Sequence, residues 1–140
     1  MDIKPYQPRD RAACLDVFRS LTPALLEPSA LPIFESWLDS AAGPYFVMEQ
    51  EDSVVGCGGY SLSPDRTIAT LQWGMVRNSS QRMGLGRFLL MYRIREIGKE
   101  GTVGIVLAHP PKPSAGFFQK QGFRADGSDG ALIRKLTVCP

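Results

Sequence analysis

The sequence predicts an α+β domain, and three observations lead to this prediction. Of the 140 residues, 44% are apolar, which is enough to bury a core without disulfides or metal ions. Apolar residues recur at helical spacing in some segments and as short β-branched or aromatic runs in others. The order is strand, two helices, three strands, helix, strand, helix and two closing strands. No repeat or linker interrupts it, so we expect one domain over residues 1–140.

The N-terminal segment predicts one strand and two helices. A loosely alternating run over residues 3–7 predicts a strand that a following proline ends. Asp10 is placed to cap a helix over residues 11–21, whose apolar stripe has spacings of three and four. A second helical stripe is formed by Leu31, Phe34, Trp37 and Leu38.

Residues 45–76 predict a three-stranded meander. Runs over residues 45–49 and 54–62 flank a polar turn, as in a hairpin, and a third run covers residues 67–76. Glycines weaken the second strand, so they predict a bulge or the close approach of another backbone or a ligand. These glycines are Gly56, Gly58 and Gly59.

The C-terminal part predicts two helices alternating with strands. A polar loop leads into a long helix that extends through Lys99, and residues 103–108 form an apolar, buried strand. A proline-rich extended loop then precedes a short helix over residues 114–121. Phe123 and residues 131–138 are expected to close the sheet.

Charge and cysteine content narrow the functional classes. Sixteen basic against 14 acidic residues give a formal charge of +2, which is too small to indicate nucleic acid or an anionic membrane as partner. Three cysteines without CxxC spacing favour a reducing compartment, so we expect a cytoplasmic protein. No apolar run approaches the roughly 20 residues of a membrane span. The single histidine, His109, excludes a multi-histidine zinc site, and we expect no metal.

The segment between the meander and the long helix has the composition of an anion-binding loop. Gly84 and Gly86 stand where a helix begins, so several backbone N–H groups point to one spot and the helix dipole favours negative charge. Arg82 and Arg87 add positive charge. A diphosphate fits such a cradle, and a turn with incidental glycines is the alternative. The GxGxxG and GxxxxGK[ST] nucleotide motifs are both absent.

This segment resembles the GNAT acetyltransferase superfamily. The family signature [QR]xxGx[GA] is matched by Gln81, Gly84 and Gly86, and Val76 stands where the family's fourth strand ends. Residues 117–123 read FFQKQGF and resemble the family's FYEKLGF segment. The resemblance covers most of the chain. It implies a mixed, mostly antiparallel sheet flanked by about four helices.

The resemblance also implies a function: an N-acetyltransferase that moves acetyl directly from acetyl-CoA, its cosubstrate, to a primary amine of a small molecule. In such folds two strands splay, and the cofactor pairs with the exposed strand edge. The Met75 N–H would polarise the thioester carbonyl, and the backbone of residues 81–87 would hold the pyrophosphate. The implied cofactor-binding residues are Trp73, Met75, Val76, Gln81, Arg82, Met83, Gly84, Leu85, Gly86, Arg87 and Phe118.

Two usual proton carriers of the family are replaced in this chain. Phe118 stands where many members have a tyrosine acid, and Thr70 stands where some have a glutamate. Either solvent carries the protons, or His109 at the end of the fifth predicted strand acts as the catalytic base, because imidazole titrates near neutrality. The alternative is that His109 is a loop residue without a catalytic role.

The sequence indicates less about the residues that would bind the acceptor. The stripe from Leu31 to Leu38 is either an apolar acceptor wall or a helix that buries its core face, and we favour the core. Two rival functions stay open: a CoA-binding domain without turnover, and an interaction module in which the glycines only shape a turn. The expected partner is a small-molecule amine, with no nucleic acid and no membrane, and the sequence is compatible with a homodimer.

Overall fold

The computed structural model describes residues 2–81, 83–126 and 130–136, which form one seven-stranded sheet and four helices. The strands are β1 (Asp2–Pro5), β2 (Tyr45–Gln50), β3 (Ser53–Leu62), β4 (Ile68–Val76), β5 (Ile105–Ala108), β6 (Arg124–Ala125) and β7 (Leu132–Lys135). The helices are α1 (Arg11–Ser20), α2 (Leu31–Ser40), α3 (Leu85–Gly98) and α4 (Ala115–Lys120). The predicted α+β architecture is confirmed. None of these helices has the length and apolar character needed to cross a membrane.

The sheet diverges at its centre. Its strand order is β1-β2-β3-β4-β5-β7-β6, and β4 with β5 is the parallel pair in this otherwise antiparallel arrangement. That pairing is short, because only Ile68–Thr70 of β4 meets Ile105–Leu107 of β5. Beyond Thr70, β4 continues to Val76 while β5 ends. In the described ranges, the β5-facing edge of β4 from Leu71 onward therefore has no strand partner.

Each face of the sheet buries its own core. On one face, α1 and α2 pack in a cluster that includes Cys14, Phe18, Phe34, Leu38, Tyr45 and Cys57. On the other, α3 and α4 cover clusters that include Phe46, Met48, Leu89, Leu90, Ile97 and Val106. The α2 stripe belongs to the first core: Phe34 and Leu38 are buried in it, and Leu31 and Trp37 pack against it.

A bulge interrupts the ladder between β3 and β4, as the glycines of β3 predict. On either side of it, the paired residues are Cys57 with Met75 and Gly59 with Gln72. Trp73 and Gly74 therefore share the position opposite Gly58, so β4 carries the extra residue. Trp73 has a φ of 48°, in the left-handed region that bulky residues rarely adopt.

The N-terminal prediction needs two corrections. The first strand ends at Pro5 rather than residue 7, because a 3-10 turn over Pro8–Asp10 follows closely. Asp10 does occupy the N-cap position of α1, but its side chain does not cap the helix; the carboxylate accepts a hydrogen bond from the Gln7 N–H at 2.9 Å and closes that turn.

Two later strands are shorter than predicted. The strand expected over residues 103–108 begins at Ile105, because the N–H of Gly104 donates to the Thr67 carbonyl at 2.9 Å before pairing with β7 begins. The strand expected over residues 131–138 spans Leu132–Lys135, and residues 137 and 138 lie outside the described ranges.

Candidate active site

A cleft of about 1040 Å³ lies where β4 and β5 diverge. Residues of β4, the end of β5, the start of α3, α4 and the turn after α1 line it. Its volume is at the upper end of the range for small-molecule and cofactor sites. The predicted site residues that line it are Trp73, Met75, Val76, Gln81, Gly84, Gly86, Arg87, His109 and Phe118.

The start of α3 presents backbone N–H groups to this cleft. Gly84 precedes the helix in the left-handed conformation, with φ of 76°, and no side chain of the described part of the chain caps the first turn. A Cβ on Gly84 would meet no atom within 4 Å, and one on Gly86 would meet only the Phe117 ring at 3.6 Å. A phosphate can therefore approach this backbone closely, where the uncapped N–H groups and the helix dipole favour an anion.

Three predicted residues of the loop stand apart from the lining. The side chain of Leu85 is buried in the α3 core, so only its backbone is available to a ligand. Met83 is 59% exposed and is not among the residues that line the cleft. Arg82 lies outside the described ranges.

The glutamine of the loop shapes the backbone. The Gln81 side-chain amide donates to the Val76 carbonyl at 3.1 Å and closes the connection from β4 to α3. The Asn78 N–H donates to the Ser20 hydroxyl at 3.1 Å, which ties the same connection to the end of α1. These contacts fix the approach of the loop to the helix start.

An aromatic cluster holds the β4 bulge from the α1 and α2 face. The Tyr45 hydroxyl donates to the Trp73 carbonyl at 2.8 Å. Burial raises the pKa of Tyr45 well above its ordinary value, so the hydroxyl keeps its proton and its donor role. The Trp73 ring packs against Phe34, with centroids 5.0 Å apart, and against Phe18 at 6.3 Å. The strained backbone is thus held by both a hydrogen bond and packing.

The two side chains that the sequence analysis relates to proton transfer belong to different elements around the cleft. His109 directly follows β5, is exposed, and lines the cleft. Phe118 of α4 is half-buried between Phe117 and Phe123, with ring centroids 5.3 and 5.4 Å away in edge-to-face geometry. Thr70 also lines the cleft, so the position where some relatives carry glutamate does face the site.

Sequence reasoning missed several lining residues, among them Arg93, Gly74 and the leucines Leu21, Leu25 and Leu26. Arg93 had a detectable signal: it stands four residues from Leu89 and from Ile97, on the buried stripe of α3 where a charge is unexpected. The leucines lie at the end of α1 and in the turn after it, and carry no comparable signal.

Known proteins match both the sequence and the fold. A model of the Acetyltransferase (GNAT) family matches residues 11–123. No curated protein matches the sequence significantly. A GNAT family acetyltransferase from Brucella melitensis, solved in complex with acetyl-CoA, is 18% identical with a TM-score of 0.79, over 99% of this chain and 90% of that one.

Two further solved structures differ from each other in what their names say they acetylate. The aminoglycoside 6'-N-acetyltransferase from Enterococcus faecium is 13% identical, with a TM-score of 0.78 over 100% of this chain and 99% of that one. The ribosomal-protein-alanine N-acetyltransferase from Brucella melitensis is 22% identical, with a TM-score of 0.77 over 97% of this chain and 100% of that one. At these identities, the shared property is the fold.

Proposed function

This chain belongs to the Acetyltransferase (GNAT) family, and on that premise we propose that it transfers acetyl from acetyl-CoA directly to a primary amine of a small molecule. One observation carries the proposal: the unpaired edge of β4 and the uncapped start of α3 open into the same cleft. Both features belong to one sheet and the helices that cover it, which supports treating residues 1–140 as one acetyltransferase domain. The buried free thiols of Cys14 and Cys57 support a reducing, cytoplasmic location.

The residues of the cleft fit acetyl-CoA in two places. Gly84 to Arg87 would hold the pyrophosphate, because their backbone is open and the Arg87 side chain adds a positive charge. Trp73 to Val76 would pair with the pantetheine amides along the free edge of β4. Acetyl-CoA, when bound, supplies an acyl group activated as a thioester. Relatives solved with acetyl-CoA or coenzyme A support this assignment.

The proposed reaction is an acyl substitution. The amine nitrogen forms a bond to the acyl carbon, the carbonyl electron pair moves to oxygen, and its return breaks the C–S bond so that sulfur leaves with the electron pair. The Arg77 N–H donates to the Val55 carbonyl of β3, and N–H groups alternate in direction along a strand, so the Met75 N–H also faces β3 rather than the cleft. The Val76 N–H lies on the open edge of β4 and, in place of the Met75 N–H, would donate to the oxygen that becomes negative. His109 would accept the proton that the amine loses, in competition with water, since its side chain is exposed. Phe118 has no proton to give to sulfur.

The acceptor would meet a different surface. Leu21, Leu25 and Leu26 line the cleft from the end of α1 and the turn that follows it. Their aliphatic side chains suit contact with the apolar portion of a small amine better than contact with a highly charged group. A relative named as an aminoglycoside 6'-N-acetyltransferase supports a small-molecule acceptor on this fold.

Calorimetry with acetyl-CoA, followed by thiol release with a panel of amines and peptides, tests the proposal. We expect one-to-one binding of acetyl-CoA and thiol release that depends on a small primary amine. Binding without thiol release from any acceptor would favour a CoA-binding domain without turnover. No binding by the folded protein would favour an interaction module, in which the glycines only shape a turn.

A further inference from the structure

A buried cation, the guanidinium of Arg93, lies between α3 and the β4 bulge. Neither the family signature nor the predicted site includes it. Arg93, in the middle of α3, is 4% exposed and yet contributes to the lining of the cleft. Its Nη1 donates to the Gly59 carbonyl at 3.3 Å, and its Nε has no hydrogen-bond partner among the residues that the structure describes. No carboxylate in residues 2–81, 83–126 and 130–136 acts on it; Tyr45 and Cys57 are the titratable groups that do.

Two glycines make room for the guanidinium. A Cβ on Gly74 would lie 2.5 Å from Nη2 of Arg93, and a Cβ on Gly58 would lie 3.2 Å from its Cζ. Contacts this short exclude any larger residue at Gly74 unless the guanidinium moves. The glycines on both strands of the bulge therefore accommodate Arg93, which accounts for a glycine pattern that the anion-binding loop does not explain.

The position of Arg93 is unfavourable for folding on its own. Burial lowers the pKa of Arg93 to about 10, so the guanidinium is charged at neutral pH. A buried charge without a counter-ion carries a large desolvation penalty, and one hydrogen bond to a carbonyl compensates only part of it. An apolar side chain of similar length would pack between α3 and the sheet without this penalty. A charge kept at such a cost suggests that the site uses it.

The bulge is held from both faces of the sheet. Tyr45 donates to the Trp73 carbonyl on the α1 and α2 face, and Arg93 donates to the Gly59 carbonyl from α3. Side chains thus donate to a carbonyl within the bulge and to one beside it, and the strained Trp73 backbone is kept in place. The bulge is followed by Met75 and Val76, and the Val76 N–H on the open edge is the proposed donor to the acyl oxygen.

We propose that Arg93 is a positioning residue for acyl transfer: it fixes the Trp73–Gly74 bulge and keeps a positive charge behind it. The inference rests on the proposed function. When the N–C bond forms, the carbonyl electron pair moves to oxygen, and it returns when the C–S bond breaks. A fixed, poorly solvated cation near the bulge stabilises the charged oxygen more than the neutral carbonyl, so it lowers the barrier without tightening substrate binding.

The first test compares Arg93→Met with Arg95→Met. Methionine fills the space without a charge, whereas Arg95 is an exposed arginine of the same helix that lies over the Tyr92 ring and outside the cleft. With the best amine of the panel, we expect Arg93→Met to lower kcat by about tenfold to a hundredfold. Its Kd for acetyl-CoA should stay within about twofold, and its Tm should be equal or higher because a buried charge is removed. Arg95→Met should change none of these, and Arg93→Lys should recover part of kcat.

The second test reads polarisation without turnover. The infrared carbonyl stretch of acetyl-CoA labelled with carbon-13 in the acetyl group is measured on the protein without an acceptor. We expect wild type to shift the band to lower frequency than in free acetyl-CoA, and Arg93→Met to return it toward the free value. Gly74→Ala should act in the same direction, because its Cβ displaces a guanidinium that is still present. Gly98→Ala on α3, where a Cβ meets nothing within 4 Å, should leave the band unchanged.

The outcomes separate the two claims. Wild type is measured first: failure to bind acetyl-CoA or to acetylate any amine contradicts the proposed function before a variant is made. If wild type is active, an unchanged kcat and an unchanged carbonyl band in Arg93→Met overturn the role of Arg93, even with a lower Tm, and leave it as a brace of the fold. If Arg93→Met does not fold, Arg93→Lys and Gly74→Ala decide the question by the same band.

Discussion

The two halves that we propose for the cleft, one for the cofactor and one for the acceptor, offer different groups to their ligands. The cofactor half, at β4 and the start of α3, offers backbone groups, made accessible by Gly84 and Gly86. The acceptor half, at the turn after α1, offers aliphatic side chains such as Leu25 and Leu26. Backbone recognition requires particular residue types at fixed positions, whereas an apolar wall can be built from many sequences. This difference explains why the cofactor half can be predicted from the sequence and the acceptor half cannot.

The difference also separates what each half can specify. Backbone N–H groups and a helix dipole recognise an anion of defined shape, which suits one cosubstrate. An aliphatic surface distinguishes ligands mainly by size, with modest energies for each methylene. We therefore expect changes in the cofactor half to affect every acceptor equally, and changes in the acceptor half to alter the preference among amines.

The largest effect is expected from Gly84→Val in the cofactor half. A β-branched side chain is strained at a φ of 76° and occupies the space that a phosphate would enter. Losing one or two charge-assisted hydrogen bonds predicts a Kd for acetyl-CoA that is about tenfold to a hundredfold weaker. Calorimetry measures the change.

Gly101→Val is the matched control. Gly101 has a φ of 77°, and a Cβ there also meets nothing within 4 Å, but the residue does not line the cleft. Both variants suffer similar backbone strain, so both should lower Tm, and only Gly84→Val should lose affinity. Equal affinities in the two folded variants would remove the helix start from the cofactor site.

His109→Ala is expected to have the next largest effect and to act on chemistry rather than on binding. If imidazole accepts the amine proton, kcat/KM of the wild type falls as the solution becomes acidic, because imidazolium cannot accept a proton. We expect the variant to lose this acid limb and about tenfold in kcat, below the usual range for a general base because solvent competes at an exposed site. A pH profile that keeps its acid limb in the variant would assign the proton to water or to another group.

Phe118→Tyr should produce a smaller change in the opposite direction. The added hydroxyl places a proton donor in the cleft, on a ring that Phe117 and Phe123 already hold in place. We expect kcat to rise severalfold, roughly the low end of what an acid supplies, with an unchanged Kd for acetyl-CoA. A stopped-flow measurement of thiol release checks it. An active enzyme whose rate does not rise would show that protonation of the leaving sulfur does not limit turnover.

Leu25→Ala in the acceptor half should have the smallest effect. Removing part of an aliphatic wall costs about 1–3 kcal/mol of discrimination at most, so we expect the KM of the preferred amine to rise severalfold and the Kd of acetyl-CoA to stay the same. Leu31→Ala is the control, since that leucine packs on the α2 core and does not line the cleft. A larger change in the Kd of acetyl-CoA than in the KM of the amine would contradict the division of the cleft into a cofactor half and an acceptor half.

The sequence predicts the parts of the fold that rest on local pattern. The stripe of α1, the hairpin of β2 and β3 and the cradle before α3 follow from spacing, turn residues and glycines close together in the chain. The glycines of β3 predict a bulge or a close approach there, and a bulge does lie opposite them, although the extra residue belongs to β4. The residue that fills the space beside the bulge is not predicted, because Arg93 reaches Gly58 and Gly74 from a helix that follows both strands in the chain.

The acceptor half shows more clearly what the sequence pattern cannot predict. The core assignment that we favour for the α2 stripe is confirmed, whereas the leucines that line the cleft, at the end of α1 and in its following turn, are not predicted. Apolar residues in both places look alike in the sequence, and only the path of the chain over the sheet decides which of them face the cleft. Departures of strand ends have a similar cause, as with the 3-10 turn that Asp10 closes.

The destination of the acetyl group tests the central claim most directly. The protein is incubated with acetyl-CoA labelled in the acetyl group, with and without the amine panel, and mass spectrometry follows the label. Direct transfer predicts label on the nitrogen of a small primary amine and an unchanged protein mass, in keeping with Cys14 and Cys57 being fully buried and, in the described ranges, no thiol lining the cleft. Label retained on the protein, or no labelled amine from a protein that binds acetyl-CoA, would contradict the account.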